Sequence, residues 1–102
     1  MTSNKYSIRV LPIAEQDIQE IVLYVASENI TAAYKLVDKI EENIERLSTH
    51  PFLGRTPTDQ KLSTMGYRVI IVEDYLIFYT IRSRSILVHR IIHGARDLKG
   101  LL

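Results

Sequence analysis

An α+β fold follows from two changes of hydrophobic period. A short stretch of period two opens the chain, and two stripes of period 3.6 follow it. After a segment rich in Pro and Gly, the period returns to two for three further runs. The predicted order is β-α-α-β-β-β: an N-terminal strand, an antiparallel helical hairpin, then a three-stranded antiparallel meander, in two layers. At 102 residues the chain is read as a single domain spanning 1–102.

Lys5–Leu11 sets Tyr6, Ile8 and Val10 against Lys5, Ser7 and Arg9, the alternation of a half-buried strand. Pro12 cannot donate to a sheet ladder but suits the first turn of a helix. Ile18, Ile21, Val22 and Val25 then form one apolar helical stripe, with Glu15 and Asp17 in the first turn, where the helix dipole favours acid. Asn29 or Thr31 caps a second helix, whose stripe runs through Ala33, Leu36, Val37, Ile40, Ile44 and Leu47. The short gap between the stripes predicts a hairpin. Ser48–Met65 holds Pro51, Gly54 and Pro57 without a clean period and reads as a long loop, a kind that often carries function. Tyr67–Val72, Tyr75–Ile81 and Ile86–His93 read as strands joined by short turns. One sheet face is expected to pack on the hairpin and the other to be more polar and free to bind. Leu98, Leu101 and Leu102 are expected to dock a short tail.

Hydrophobic residues make up 46 % of the chain and charged residues 25 %, a globular mix that argues against disorder. The absence of Cys excludes disulfides, thiol catalysis and Cys-ligated zinc, and it fits the cytoplasm. Met1–Val10 lacks the form of a signal peptide. The longest purely aliphatic runs, such as Val69–Val72, are four residues, against the roughly 20 that span a membrane, so no membrane partner is expected. Charge is uneven. Residues 1–52 carry five basic and eight acidic side chains, and residues 53–102 carry eight basic and four acidic ones. A basic half can face nucleic acid or an acidic protein, or can simply carry more exposed Arg.

His89 and His93 fall on one face by alternation, with Leu87 and Ile91, while Val88, Arg90 and Ile92 fall on the other. Four residues along a strand span roughly 13 Å, too far for two ligands of one ion, so no metal site is assigned. Nor is a cofactor, since the four glycines are scattered and form no phosphate loop. The carboxylates sit mostly at helix positions that read as solvated, with no pair spaced for acid–base work. His93 is a candidate acid or base, or a strand-end His bonded to backbone. Arg55, Lys61, Arg68, Arg90 and Arg96 are candidates for holding phosphate or an acidic partner.

Taken in order, several pieces resemble one family. Ala14 with Asp17, Ile18 and Ile21 comes first, then Pro51-Phe52-Leu53-Gly54-Arg55 and Gly66-Tyr67-Arg68-Val69. Tyr75-Leu76-Ile77-Phe78-Tyr79 follows, and Arg90-Ile91-Ile92-His93-Gly94-Ala95-Arg96-Asp97 closes the series. Together they cover almost the whole chain and resemble the RelE/ParE superfamily of bacterial type II toxin–antitoxin toxins. The resemblance implies a helical hairpin on a small antiparallel sheet, growth arrest, plasmid stabilisation, and a cognate antitoxin that folds on the toxin as a hetero-oligomer.

RelE-like members cut mRNA on the ribosome, and on that reading Lys61, Arg68, His93 and Arg96 would be the catalytic set. ParE-like members poison DNA gyrase without cutting nucleic acid, and on that reading Arg90, His93 and Arg96 would contact the target. Leu76 stands where the nucleases usually carry an Arg, and the C-terminal Tyr of RelE-like members has no counterpart. The closing run is characteristic of ParE-like members. The resemblance therefore favours the ParE branch, with the ribosome-dependent nuclease as the alternative, and whether the chain is an enzyme turns on that choice.

Overall fold

The computed structural model describes residues 5–94. The elements are β1 (Ser7–Val10), α1 (Pro12–Ala26), α2 (Ile30–Arg46), α3 (Gln60–Thr64), β2 (Arg68–Val72), β3 (Tyr75–Arg82) and β4 (Ser85–His93). The β-α-α-β-β-β order holds, and β2, β3 and β4 form the antiparallel meander. β1 adds to it in parallel beside β4, giving one sheet of order β1-β4-β3-β2. The expected docking of Leu98, Leu101 and Leu102 lies outside the described residues.

The helix ends follow local chemistry. Pro12 occupies the first turn of α1. Asn29 caps α2, its side chain accepting from the Ala32 N–H at 3.0 Å. The α2 stripe buries Ala33, Leu36, Ile40 and Ile44. With Ala14 and Ile21 of α1, most of it packs on Ile70, Val72, Ile77, Tyr79, Ile86, Val88 and Ile91 of the sheet, which forms the main core.

Three expectations change. The long loop contains a short helix, α3, capped by Asp59, whose carboxylate accepts from the Leu62 N–H at 3.0 Å. Leu62 packs on a second apolar cluster of Tyr67, Val69, Phe78 and Ile92, so the outer sheet face is not the polar face expected. The β3–β4 register jumps from Phe78↔Arg90 to Tyr79↔Val88 and leaves His89 as an extra residue. This bulge resets the alternation that β4 shows in sequence. Ile91 joins the main core and Ile92 the outer cluster, opposite to strict period two. Bulges of this kind leave no mark in a β-branched run.

The loop before α3 is pinned rather than free. The Tyr79 hydroxyl donates to the Pro51 carbonyl at 2.8 Å and accepts from the Gly54 N–H at 2.9 Å. Arg55 and Val69 exchange backbone bonds of 3.0 and 2.8 Å. A Cβ at Gly54 would stand 2.7 Å from the Tyr79 ring and 2.8 Å from the Val69 carbonyl oxygen, so only glycine fits. Gly54→Ala is expected to cost about 1–3 kcal/mol, the range for forcing an extra methyl into packed structure. Tyr79→Phe should cost about as much by orphaning the Gly54 N–H. Chemical denaturation of both variants tests this, and unchanged midpoints would show that the loop is not fixed by these contacts.

Candidate functional site

The described chain gathers its chemistry at the far end of β4, where that strand meets α1. β1 covers this edge of β4 only as far as Val88. Beyond it, the Ile91 N–H donates to Asp17 Oδ2 at 3.0 Å. Arg90 closes a fork on the same carboxylate, Nε to Oδ2 at 2.8 Å and Nη2 to Oδ1 at 2.9 Å. The Asp17 and Arg90 side chains are 7 % and 14 % exposed, so the pair is largely out of water. The hydrogen bond to Asp17 raises the Arg90 pKa, and the nearby Asp17 and Glu20 charges raise it further against the opposing effect of burial. Arg90 is therefore ionised at any working pH.

Asp17 thus corrects the expectation that the helix carboxylates are solvated. The sequence did carry a signal: Asp17 lies three residues after Ala14 and four before Ile21, inside the buried stripe. An acid in an apolar stripe needs a buried partner, and Arg90 is that partner.

The other sequence candidates are dispersed. Arg68 donates from Nε to the Gly54 carbonyl at 3.0 Å and from Nη2 to the Phe52 carbonyl at 3.3 Å, and it lies 5.3 Å from the Phe52 ring centre. Lys61 is exposed on α3. His93 is exposed at the end of β4, its ring edge-on to Tyr75 at 5.3 Å. Arg68 pairs across from Tyr79, and His93 across from Tyr75. Four residues along β3 and two strand spacings across the sheet put their Cα atoms roughly 16 Å apart. Arg90 and His93 share the end of β4, three residues apart, whereas Arg68 and Lys61 do not join them. Arg96 lies outside the described residues. Among the described residues no three His, Asp or Glu side chains gather as a metal site, and no helix is long and apolar enough to cross a membrane.

Beside the fork a cleft of about 390 Å³ opens between α1 and the β3–β4 end, its walls including Glu20, Tyr24, Tyr75 and His93. Burial raises the Tyr75 pKa, helped by Tyr24, Asp74 and Glu73. On the outer face His89 bonds the Thr80 hydroxyl at 2.8 Å and stands edge-on to Tyr67 at 5.0 Å.

This architecture, a helical hairpin on a four-stranded sheet, is shared with solved structures from two toxin–antitoxin systems. The chromosomal ParDE system from P. aeruginosa matches with a TM-score of 0.71 and 22 % identity, over 89 % of this chain and 98 % of that one. The toxin–antitoxin complex RelBE2 from Mycobacterium tuberculosis matches with a TM-score of 0.62 and 18 % identity, over 93 % of this chain and 98 % of that one. At these identities the likeness is one of fold. No curated protein matches the sequence. The family model described as ParE toxin of type II toxin–antitoxin system, parDE, matches residues 8–98, and the chain belongs to that family.

Two outcomes follow. Asp17→Ala, which removes the buried carboxylate that Arg90 and the Ile91 N–H bond, is expected to cost about 3–5 kcal/mol. Asp17→Ala with Arg90→Leu should recover only part of this, because the Ile91 N–H stays without its acceptor. A double variant as stable as the wild type, by urea unfolding, would contradict the role given to that N–H. For His89, burial and then the Arg82 charge lower the pKa from 6.5. The neutral ring is thus favoured in the fold. Its stabilising contribution is complete above the unfolded pKa and lost as pH falls through the lower folded one. An NMR titration of the His89 ring should give a midpoint below 6.5; one at or above it would refute the assignment.

Proposed function

We propose that this toxin acts by binding, that its target is DNA gyrase, and that a cognate antitoxin relieves the inhibition in a hetero-oligomeric complex. The family match favours this target, and the commitment of the arginines supports a binding mode. Arg68 is engaged by loop carbonyls and Arg90 by Asp17, while Leu76 of β3 packs on the outer apolar cluster. Phosphoryl transfer needs charge stabilisers aimed at one reacting phosphate. Dispersed cations answer that need poorly and suit an extended contact well. The contact we assign is the β4 end. His93 is presented there, Arg90 positions the strand through Asp17, and Arg96 follows two residues past Gly94 in sequence. The setting is the cytoplasm, where gyrase meets DNA.

A supercoiling assay with purified toxin tests the reading. Inhibition with accumulated cleaved DNA, reversed by antitoxin, is the expected result. Unimpaired supercoiling, together with ribosome-dependent mRNA cleavage that Lys61→Ala abolishes, would replace it with the RelE-like mechanism and its set of Lys61, Arg68, His93 and Arg96.

A further inference from the structure

Of the cleft beside the fork, only His93 belongs to the contact assigned above. Ile21 and Ile91 supply apolar lining, and the Tyr24 and Tyr75 rings help to wall it. Tyr75 is only 9 % exposed, whereas Tyr24 is 71 % exposed, and the residue before it on α1, Leu23, outside the cleft wall, is 72 % exposed. Such large side chains left in water mark a surface that a partner covers.

Among the described residues that line the cleft the carboxylates are Asp17 and Glu20. Asp17 is engaged by Arg90 in the fork, while Glu20 acts on Arg90 only through its field and makes no fork of its own. Asp74 and Glu73 add to the negative field at Tyr75, with Glu73 partly offset by its 2.7 Å bond to Lys39. A carboxylate beside two tyrosine rings over an apolar floor is complementary to a cation on an apolar stem. That describes the side chain of arginine or lysine. It does not describe phosphate, nucleic acid or an acidic peptide.

We propose that this cleft receives one arginine or lysine side chain of the antitoxin, held by Glu20 and by the Tyr24 and Tyr75 rings. This rests on the toxin–antitoxin reading and adds to it the chemistry of one anchor. It also gives neutralisation a physical form. His93 forms part of the cleft wall, so an antitoxin side chain seated there covers the β4 end assigned to the target.

The test is the affinity of the purified toxin for its antitoxin by calorimetry, at low and high salt. Glu20→Gln and Tyr24→Ala should each weaken binding roughly 10- to 100-fold, the range expected when a buried anchor is lost at an interface. The Glu20→Gln effect should shrink at high salt. Both positions are exposed, so unfolding midpoints should stay at the wild-type value. Alanine substitution of each antitoxin Arg and Lys in turn should then find one whose loss is not additive with Glu20→Gln. Tight wild-type binding with no effect of either toxin variant, or with no antitoxin cation coupled to Glu20, would overturn the cleft assignment and leave the partner reading intact. Failure of the wild-type toxin to bind antitoxin at all would overturn both.

Discussion

A buried carboxylate is tolerated only where every lone pair facing the interior has a donor, and Asp17 sets that condition for the rest of this fold. Its two oxygens accept from Arg90 Nε, Arg90 Nη2 and the Ile91 N–H. Two elements, α1 and β4, are thereby tied at one point by three hydrogen bonds. α1 supplies the acid, β4 supplies the guanidinium, and the β4 backbone supplies an amide that β1 does not reach. The bulge at His89 makes this geometry available, because it turns both Arg90 and Ile91 toward α1. An apolar pair could fill the same space, but it would leave the Ile91 amide without an acceptor, and it would lose the angular precision of a bidentate fork.

The same logic runs through the second anchor. Tyr79 buries its ring in the main core and spends its hydroxyl on two backbone groups of the loop, while Arg68 caps the Gly54 and Phe52 carbonyls of the same segment. A loop with no regular structure needs such partners, since its polar backbone would otherwise be stranded against the sheet. Several residues that look chemical in the sequence are therefore occupied in the framework. The charge they carry is balanced or directed inward, and the reactive surface of the protein is smaller than its count of arginines implies.

This explains what was and was not legible in the sequence. The two helical stripes, the three late strands and the order of elements follow from hydrophobic period, because each element buries one face. The loop's tie to Tyr79 was not legible, since it depends on residues 25 and 28 positions apart in the chain. Nor was the bulge, because it falls at His89 and Arg90 between two aliphatic pairs, and the Ile91-Ile92 pair beyond them reads the same in either register. The assignment of Ile91 and Ile92 to faces failed for that reason alone. The outer face looked free because its cover comes from Leu62, a single apolar residue in a segment dominated by turn formers. Asp17 was readable in principle: its position in the stripe pointed inward, while reading it as a first-turn acid offered a simpler, solvated explanation that the structure overrules, since only Glu15 is an acid of that turn.

The fork also limits how a partner can act at this end of the molecule. A cation arriving in the cleft has no need to compete for Asp17, because Glu20 offers a carboxylate on the exposed side of α1. Competing would be costly, since opening the fork breaks both Arg90 bonds to Asp17 and takes the acceptor from the Ile91 amide, a loss of several kcal/mol on the scale of buried pairs. Binding at Glu20, which is exposed in the free chain, avoids that loss. On the proposed mode the framework would not need to change between free and bound toxin, and neutralisation would proceed by covering a surface rather than by remodelling it. A toxin held this way would be released in active form once its antitoxin is removed, because nothing in the fold would have to be rebuilt.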